Sequence, residues 1–447
     1  MFAETFERLC IEAPDALAVL EADTGTAWTR RELAAAASRM ERLLAPERAR
    51  RIAVHLPSGI DFLAALLAIW RCDRCAIPID AELTSDAARD TAERLGAALL
   101  MEPDALHPVD ASPVGAGTPE FLIKVTSGST GMARGVALSA AALDAGLGQI
   151  VSTMGLRPED RTLVSIPLSH SYAFDNAVLM LLRLGSPILL VKDRTPTRLA
   201  DLARRSGATV WPAVPVLLDL LARAPGADGD AFAEHRLVIS AGAPLPKATR
   251  ESFAARFGIR PRNFYGSSEC GGIAFDREGA ADLADGCVGV PLDGVSVELE
   301  GQDDSGIGRV RVLGASVGSV CLPRSDPDLD GGRFRTGDLG RFDADGRLCL
   351  VGRVGEEIDV GARKVHPAEV EGFLLSLPGV REAVVLAAER NSPSSALRAV
   401  VVGEGLEVGT LRTSCEAALA SWKVPRRIEI RSELPRNARG KVDRGAL

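Results

Sequence analysis

The chain has 447 residues, of which 46% are hydrophobic and 25% charged, and its formal net charge at pH 7 is −8. This length leaves room for a large core and for two or more domains. The negative charge argues against general affinity for nucleic acid. We therefore expect a globular protein in which any bound anion is held by a local arrangement of donors.

Cysteine usage and the N-terminus indicate the compartment. Of eight cysteines, only Cys72 and Cys75 form a CxxC pair, and no second pair completes a zinc site. We expect reduced, mostly buried thiols. The N-terminus is acidic and lacks the regions of a signal peptide, and the longest apolar run, FLAALLAIW, is about half a membrane span. The sequence predicts a cytoplasmic protein without membrane insertion.

The predicted elements change in character along the chain. Between residues 28 and 110, helical patterns such as RRELAAAASRMERLL alternate with short apolar strands such as RIAVHLP, and the alternation continues to about residue 246. This order is typical of layered α/β structure with a largely parallel sheet. Short β-like segments follow from about residue 286, and then a compact unit of helices and strands. We place a domain boundary near residues 352–359.

A stretch rich in glycine and hydroxyl side chains, VTSGSTGMARGVALS at 125–139, follows a predicted strand. Such a loop exposes backbone N–H groups and hydroxyl donors without obstruction, which is how proteins surround phosphate oxygens. It is not the P-loop of kinases, because Ala133 and Arg134 stand where Gly-Lys would be needed after Gly128. A kinase of that class is excluded, whereas a phosphate-binding loop and a structural turn both remain.

Six further segments accompany this loop in a fixed order. They are ISAGAPLP (239–246), NFYGSSE (263–269), GCVGVPLDGV (286–295), RTGDLGRFDADGRLCLVGR (335–353), IDVGARKVHPAEVE (358–371) and PRNARGKVDR (435–444). Together with the glycine loop they resemble, over nearly the whole chain, the signatures of the adenylate-forming superfamily, in its branch of acyl-CoA and aryl-CoA synthetases (AMP-dependent synthetases and ligases).

The resemblance implies an α/β fold of two domains. A large N-terminal domain, residues 1–353, would consist of layered α/β subdomains with a distorted β-barrel portion and would bind AMP and the acid. A small, mobile α+β C-terminal domain, residues 354–447, would complete the enzyme.

It also implies which residues bind MgATP. The nucleotide-binding positions would be Thr126, Ser127, Gly128, Ser129, Thr130, Gly131, Arg134, Gly242, Ala243, Tyr265, Gly266, Asp338 and Arg353. Asp338 suits both ribose hydroxyls as a bidentate acceptor, and Glu269 would hold Mg²⁺, which prefers carboxylate oxygen. Ser268 would lie near the α-phosphate. Lys441 would stabilise charge between the carboxylate and the α-phosphate in the transition state.

Several residues at the acid pocket, the hinge and the thiol tunnel bear on the substrates, and some of them depart from the family's pattern. His170 corresponds to the family's gate, and Asp175 and Gly266 would border the pocket, where a polar Asp175 favours an aryl or hydroxylated acid. Gly355 stands at the hinge position, where the family has Asp or Lys. In the loop that lines the thiol tunnel, Asp359 replaces a Lys and Ala362 a Gly, which puts the acceptor in question.

The resemblance thus implies an acid–thiol ligase. A carboxylic acid and ATP would give acyl-AMP and pyrophosphate, and the acyl group would pass to the thiol of CoA. A stand-alone ligase that loads the phosphopantetheine of a separate acyl carrier protein is the alternative, because the basic segment KVPRRIEIR suits either acceptor. A third possibility is a homologue that binds nucleotide without catalysing a reaction. The presence of Glu269, Asp338 and Lys441 argues against it. The sequence leaves the acid and the oligomeric state open.

Overall fold

The computed structural model describes residues 1–112, 120–127, 133–356, 358–360, 363–388, 396–436 and 442–447. Within these residues the strands form four sheets, of 14, seven, three and two strands. The sheets divide the chain into a long region that carries the two large sheets and a short C-terminal region that carries the two small ones.

Helix and strand alternate through the first part of the chain. The elements are α1 (Phe2–Glu12), β1 (Leu17–Glu21), β2 (Thr26–Thr29), α2 (Arg30–Leu44), β3 (Arg51–Val54), α3 (Ile60–Arg71), β4 (Cys75–Pro78), α4 (Ser85–Arg94), β5 (Leu99–Met101), β6 (Leu106–Pro108), β7 (Leu122–Ser127) and β8 (Ala133–Leu138). Helix α2 begins at a capping box formed by Thr29 and Glu32. Helix α3 carries the run FLAALLAIW, all nine residues of which are buried, so this run is a core helix. Within the described residues, no helix combines the length and apolar composition that crossing a membrane requires.

The next part continues this alternation up to an antiparallel hairpin. The elements are α5 (Ala140–Met154), β9 (Thr162–Val164), α6 (Ser171–Ala173), a π-helix (Phe174–Val178), α7 (Leu179–Leu184), β10 (Ile188–Leu190), α8 (Pro196–Arg205), β11 (Val210–Ala213), α9 (Pro215–Arg223), β12 (Leu237–Ser240), α10 (Lys247–Phe257), β13 (Arg262–Ser267) and β14 (Gly271–Phe275). Strands β9, β11, β12 and β13 are parallel. The loops after them therefore leave the same edge of the sheet, where α/β proteins bind ligands.

Antiparallel strands follow, and all except β18, which joins β8 in the other large sheet, extend the same sheet. They are β15 (Cys287–Pro291), β16 (Ser296–Glu300), β17 (Gly308–Leu313), β18 (Val320–Leu322), β19 (Leu329–Asp330), β20 (Arg333–Phe342) and β21 (Leu348–Arg353). The 14-stranded sheet has the order β16-β17-β20-β21-β15-β14-β13-β12-β11-β9-β10-β1-β2, with β19 paired to β20. The seven-stranded sheet has the order β18-β8-β7-β4-β3-β5-β6.

The C-terminal region has a core of its own. Its elements are β22 (Ile358–Val360), β23 (Arg363–Val365), α11 (Pro367–Leu375), β24 (Val380–Ala387), β25 (Leu397–Gly403), α12 (Val408–Ala418) and β26 (Arg427–Arg431), with 3₁₀ turns at Ser421–Lys423 and Arg444–Ala446. Val370, Leu374, Val401 and Leu411 are buried together between the helices and the β24-β25-β26 sheet. The predicted fold class, a large α/β region with a small α+β region at the C-terminus, is confirmed.

One expectation about the cysteines is wrong. Cys287 on β15 and Cys349 on β21 face each other across antiparallel strands and are joined by a disulfide. The spacing of 62 residues carries no sequence signal, because only the strand order makes the two cysteines neighbours. The other six cysteines are free, and four of them are buried.

Candidate active site

Three residues predicted to bind the nucleoside meet at the junction of β13, β20 and β21. Asp338 on β20 lies directly opposite Arg353 on β21, and the Arg353 Nε lies 3.0 Å from the Asp338 Oδ1. The Tyr265 hydroxyl donates a hydrogen bond to Asp338 Oδ2 at 2.6 Å. Burial, and then the charge of Asp338, raise the pKa of Tyr265 well above its usual value. The tyrosine therefore stays a neutral donor, and the carboxylate is held from both sides.

The turn between β13 and β14 carries Ser268 and Glu269. The Ser268 hydroxyl lies 2.7 Å from the hydroxyl of Ser171, at the start of α6. A Cβ atom at Gly266 would lie 2.7 Å from the carbonyl oxygen of Gly271. The hairpin thus closes tightly only with glycine at position 266.

Glu269 has the features of a ligand to a hard cation. Its backbone carbonyl accepts a hydrogen bond from the Gly318 N–H at 2.7 Å, which fixes the main chain. Its half-buried carboxylate makes no hydrogen bond or ion pair with the residues that the structure describes. The carboxylate is near enough to Arg134 that its charge contributes to raising the pKa of that guanidinium, after the larger effect of Asp326. Carboxylate oxygens without a partner among the described residues are ligands that suit Mg²⁺.

The glycine loop leaves β7 and returns in β8, where Thr126 pairs with Arg134. Residues Gly128, Ser129, Thr130 and Gly131 lie outside the described residues, and Ser127 is the last residue of β7. Arg134 Nη2 lies 2.8 Å from Asp326 Oδ2, and this contact raises the pKa of Arg134. The predicted phosphate-binding cation thus has a carboxylate partner in the protein.

Two of the residues expected at the acid pocket, His170 and Asp175, belong to the segment after β9. His170 is exposed and caps α6, and its Nδ1 accepts a hydrogen bond from the Tyr172 N–H at 3.3 Å. Asp175 lies in the π-helix and is buried, and Lys124 Nζ lies 2.7 Å from each of its carboxylate oxygens. π-Helical turns are often found at functional sites.

The remaining predicted positions follow strands β12 and β21 or lie outside the described residues. Gly242 and Ala243 are exposed and follow β12 after one buried residue, Ala241, and Gly242 has a φ of +86°. Lys441 and Ala362 lie outside the described residues. Gly355 has a φ of +80°, in the left-handed region that favours glycine, just after β21.

Comparison with known proteins identifies the family. The model of the AMP-binding enzyme family matches residues 6–118 and 117–322, and the model of its C-terminal domain matches residues 369–441. The chain belongs to the AMP-binding enzyme family. The prediction of an adenylate-forming enzyme of the acyl-CoA synthetase type is confirmed.

Individual relatives are similar over most of the chain. The long-chain-fatty-acid–CoA ligase FadD13 of Mycobacterium tuberculosis is 25% identical over 476 aligned positions, which cover 96% of this chain and 94% of that protein. The fatty acid–[acyl-carrier-protein] ligase ScoC of Streptomyces coeruleorubidus is 30% identical over 351 positions, covering 72% of this chain and 66% of that protein. ATP-bound MatB from Rhodopseudomonas palustris has the same fold, with a TM-score of 0.85 at 24% identity, covering 100% of this chain and 98% of that one.

Sequence reasoning missed three partners of the predicted residues. Ser171 contacts Ser268, Asp326 pairs with Arg134, and Lys124 pairs with Asp175. Only Lys124 had a signal: lysine is rare in this arginine-rich chain, and a lysine in an otherwise apolar strand, FLIKV, is unusual.

Proposed function

We propose that the chain is an ATP-dependent acid–thiol ligase. It joins a carboxylic acid to the α-phosphate of ATP, releases pyrophosphate, and transfers the acyl group from acyl-AMP to the thiol of CoA. The observation that carries this proposal is the cluster of Tyr265, Asp338 and Arg353. A ribose diol needs a bidentate acceptor, which Asp338 provides, and an adenine ring packs on an aromatic face, which Tyr265 provides. Tyr265 and Arg353 each contact the Asp338 carboxylate, at 2.6 and 3.0 Å.

The phosphates are assigned to the opposite end of the site. The segment from Thr126 to Gly131 supplies neutral donors, and Arg134 grips the leaving pyrophosphate bidentately once it exchanges Asp326 for phosphate. Glu269 would hold Mg²⁺, which neutralises phosphate charge when bound. Ser268 orients toward the α-phosphate. Lys441 stabilises the charge that develops as the acid attacks.

Within this proposal the acid and the two domains have separate tasks. Residues 1–353 bind ATP and the acid, with Gly242 and Ala243 along the adenine and with His170, Asp175 and Gly266 around the acid. Residues 354–447 bring Lys441 for adenylation and then rotate about Gly355 for thioester formation.

The relatives, rather than the surface charge of the C-terminal region, favour CoA over a carrier protein as acceptor. The phosphates of CoA and the acidic surface of a carrier protein both call for cations at the docking face. Lys423 lies 2.7 Å from Glu369 Oε2, and Arg427 and Arg431 lie 3.0 and 3.1 Å from Glu429. Glu429 carries one charge and is shared by Arg398, Arg427 and Arg431, so this face keeps a net positive charge. The likeness to ScoC keeps the carrier protein as the second candidate.

The test separates the two half-reactions. Exchange of labelled pyrophosphate into ATP, with panels of aryl, hydroxyaryl and medium-chain acids, detects adenylation. Acyl transfer from acyl-AMP to CoA and to a pantetheinylated carrier protein is then measured side by side at micromolar acceptor. We expect acid-dependent exchange and transfer to CoA. Nucleotide binding without exchange for any acid would leave a non-catalytic homologue, and acylation of the carrier alone would select the second candidate.

A further inference from the structure

A buried ion pair lies beside the candidate acid pocket. Lys124 Nζ lies 2.7 Å from both carboxylate oxygens of Asp175, and the two side chains are 4% and 12% exposed. Lysine is almost never fully buried, and a buried ion pair is often less stable than apolar residues of the same volume. The stability of the core therefore does not explain this pair.

Its position ties the pair to the reaction centre. Lys124 lies on β7 two residues before Thr126, where the chain enters the glycine loop. Asp175 lies in the π-helix that continues α6, whose Ser171 hydroxyl contacts Ser268. A Cβ atom at Gly271 would lie 3.9 Å from Asp175 Oδ2, so the carboxylate adjoins the hairpin that carries Ser268. The pair thus lies between strand β7, which leads into the glycine loop, and the helical segment that begins at the predicted gate.

The hydrogen-bonding capacity of the pair is incomplete. The ammonium has three donors, of which two point to Asp175, and each carboxylate oxygen accepts one bond and has a further lone pair. No further partner of either group occurs among the residues that the structure describes. A group that completes the pair must accept a hydrogen bond from the Lys124 ammonium and donate a hydrogen bond to the Asp175 carboxylate. A hydroxyl group does both.

We propose that Lys124 and Asp175 select acid substrates that carry a hydroxyl group on the acyl chain or ring. This inference rests on the proposed function and names the substrate class of that same site. An apolar substituent would leave the pair without its third bond in a site of low dielectric. A second carboxylate would add net negative charge to a neutral pair, and an amine would place a second cation beside Lys124.

The test compares matched acids. Pyrophosphate exchange is measured at saturating MgATP with hydroxy and deoxy members of benzoate, phenylalkanoate and medium-chain alkanoate pairs. We expect kcat/KM to be at least about 10²-fold higher for the best hydroxy acid than for its deoxy partner. The double variant Lys124→Met with Asp175→Leu removes both charges together and should reverse this preference, with the KM for ATP unchanged. Asp175→Asn keeps the shape and should reduce the preference about tenfold.

Asp144→Asn is the matched control, because Asp144 pairs with Arg183 at 2.9 Å just beyond the π-helix, at the surface. It should leave acid selectivity unchanged. Equal or better use of deoxy acids, dicarboxylates or amino acids by the wild type overturns the inference while the proposed function stands. Unaltered selectivity in both pair variants overturns it as well. If none of the tested acids supports pyrophosphate exchange, the proposed function and the inference are both contradicted.

Discussion

Replacing Tyr265 by Phe isolates one hydroxyl group of the candidate nucleoside site. The ring that would face adenine is kept, whereas the hydrogen bond to Asp338 at 2.6 Å is lost. Asp338 keeps Arg353 at 3.0 Å, so the change tests whether the tyrosine orients the carboxylate. We expect a lower kcat/KM for ATP.

The size of the effect follows from the charge and exposure of the acceptor. A hydrogen bond to a charged group contributes about 1.5–3 kcal/mol. Asp338 is 23% exposed, so water replaces part of the lost bond and the lower end of this range applies. A loss of about 1.5 kcal/mol corresponds to roughly a tenfold fall in kcat/KM for ATP.

The assay is pyrophosphate exchange against ATP concentration at saturating acid. The chain has two tyrosines, and the second provides the control. The Tyr172 hydroxyl is buried without a hydrogen-bond partner in the described structure, so Tyr172→Phe should leave kcat/KM for ATP unchanged. If Tyr265→Phe behaves like wild type and Tyr265→Ala does not, the ring acts alone and the orienting role is refuted.

Three further changes test the proposed roles of Lys441 and Arg134 and the burial of His235. Lys441→Ala should lower acyl-AMP formation by about 10²-fold or more while thioester formation from supplied acyl-AMP persists, and equal losses in both half-reactions would contradict domain alternation. Asp326→Asn releases Arg134 from a pair worth about 0.2–1 kcal/mol, so the KM for pyrophosphate in exchange should fall by up to about fivefold; a rise would show that Asp326 positions the arginine. Burial lowers the pKa of His235 from 6.5 to about 4. Between these pH values the unfolded chain binds a proton at His235 that the folded chain does not bind, so the free energy of unfolding decreases as the pH falls from 6.5 to 4. In His235→Leu the denaturation midpoint should fall less between pH 7 and 4.5 than in wild type or the His107→Gln control, and parallel falls would contradict this.

What the sequence predicted was local in sequence or repeated a known signature. The alternation of helix and strand gave the fold class, because hydrophobic periodicity depends on neighbouring residues. Asp338 and Arg353, 15 residues apart, come together because one antiparallel hairpin joins them. The 14-stranded continuity of the main sheet was not predictable, because strand order depends on long-range pairing.

The partners of the site residues could not be predicted from the sequence for the same reason. Arg134 and Asp326 are 192 residues apart, and their contact depends on how β18 pairs with β8. Lys124 and Asp175 come from different layers, a strand and a π-helix. A single sequence contains no signal that links such positions, although an isolated lysine in an apolar strand is itself a reason to expect a buried anion nearby.

These pairings change how ligand affinity should be understood. Arg134 and Asp338, two residues assigned to the nucleotide, already have protein partners of opposite charge or complementary hydrogen bonding. Binding then exchanges one partner for another, so the affinity measures a difference between two sets of contacts. Replacing Asp326 at Arg134 is more favourable for ATP than for AMP, because the phosphates of ATP carry more negative charge than the single phosphate of AMP. Removing Asp326 should therefore strengthen the binding of ATP and pyrophosphate more than that of AMP, and equal gains for all three would show that Arg134 does not discriminate between them.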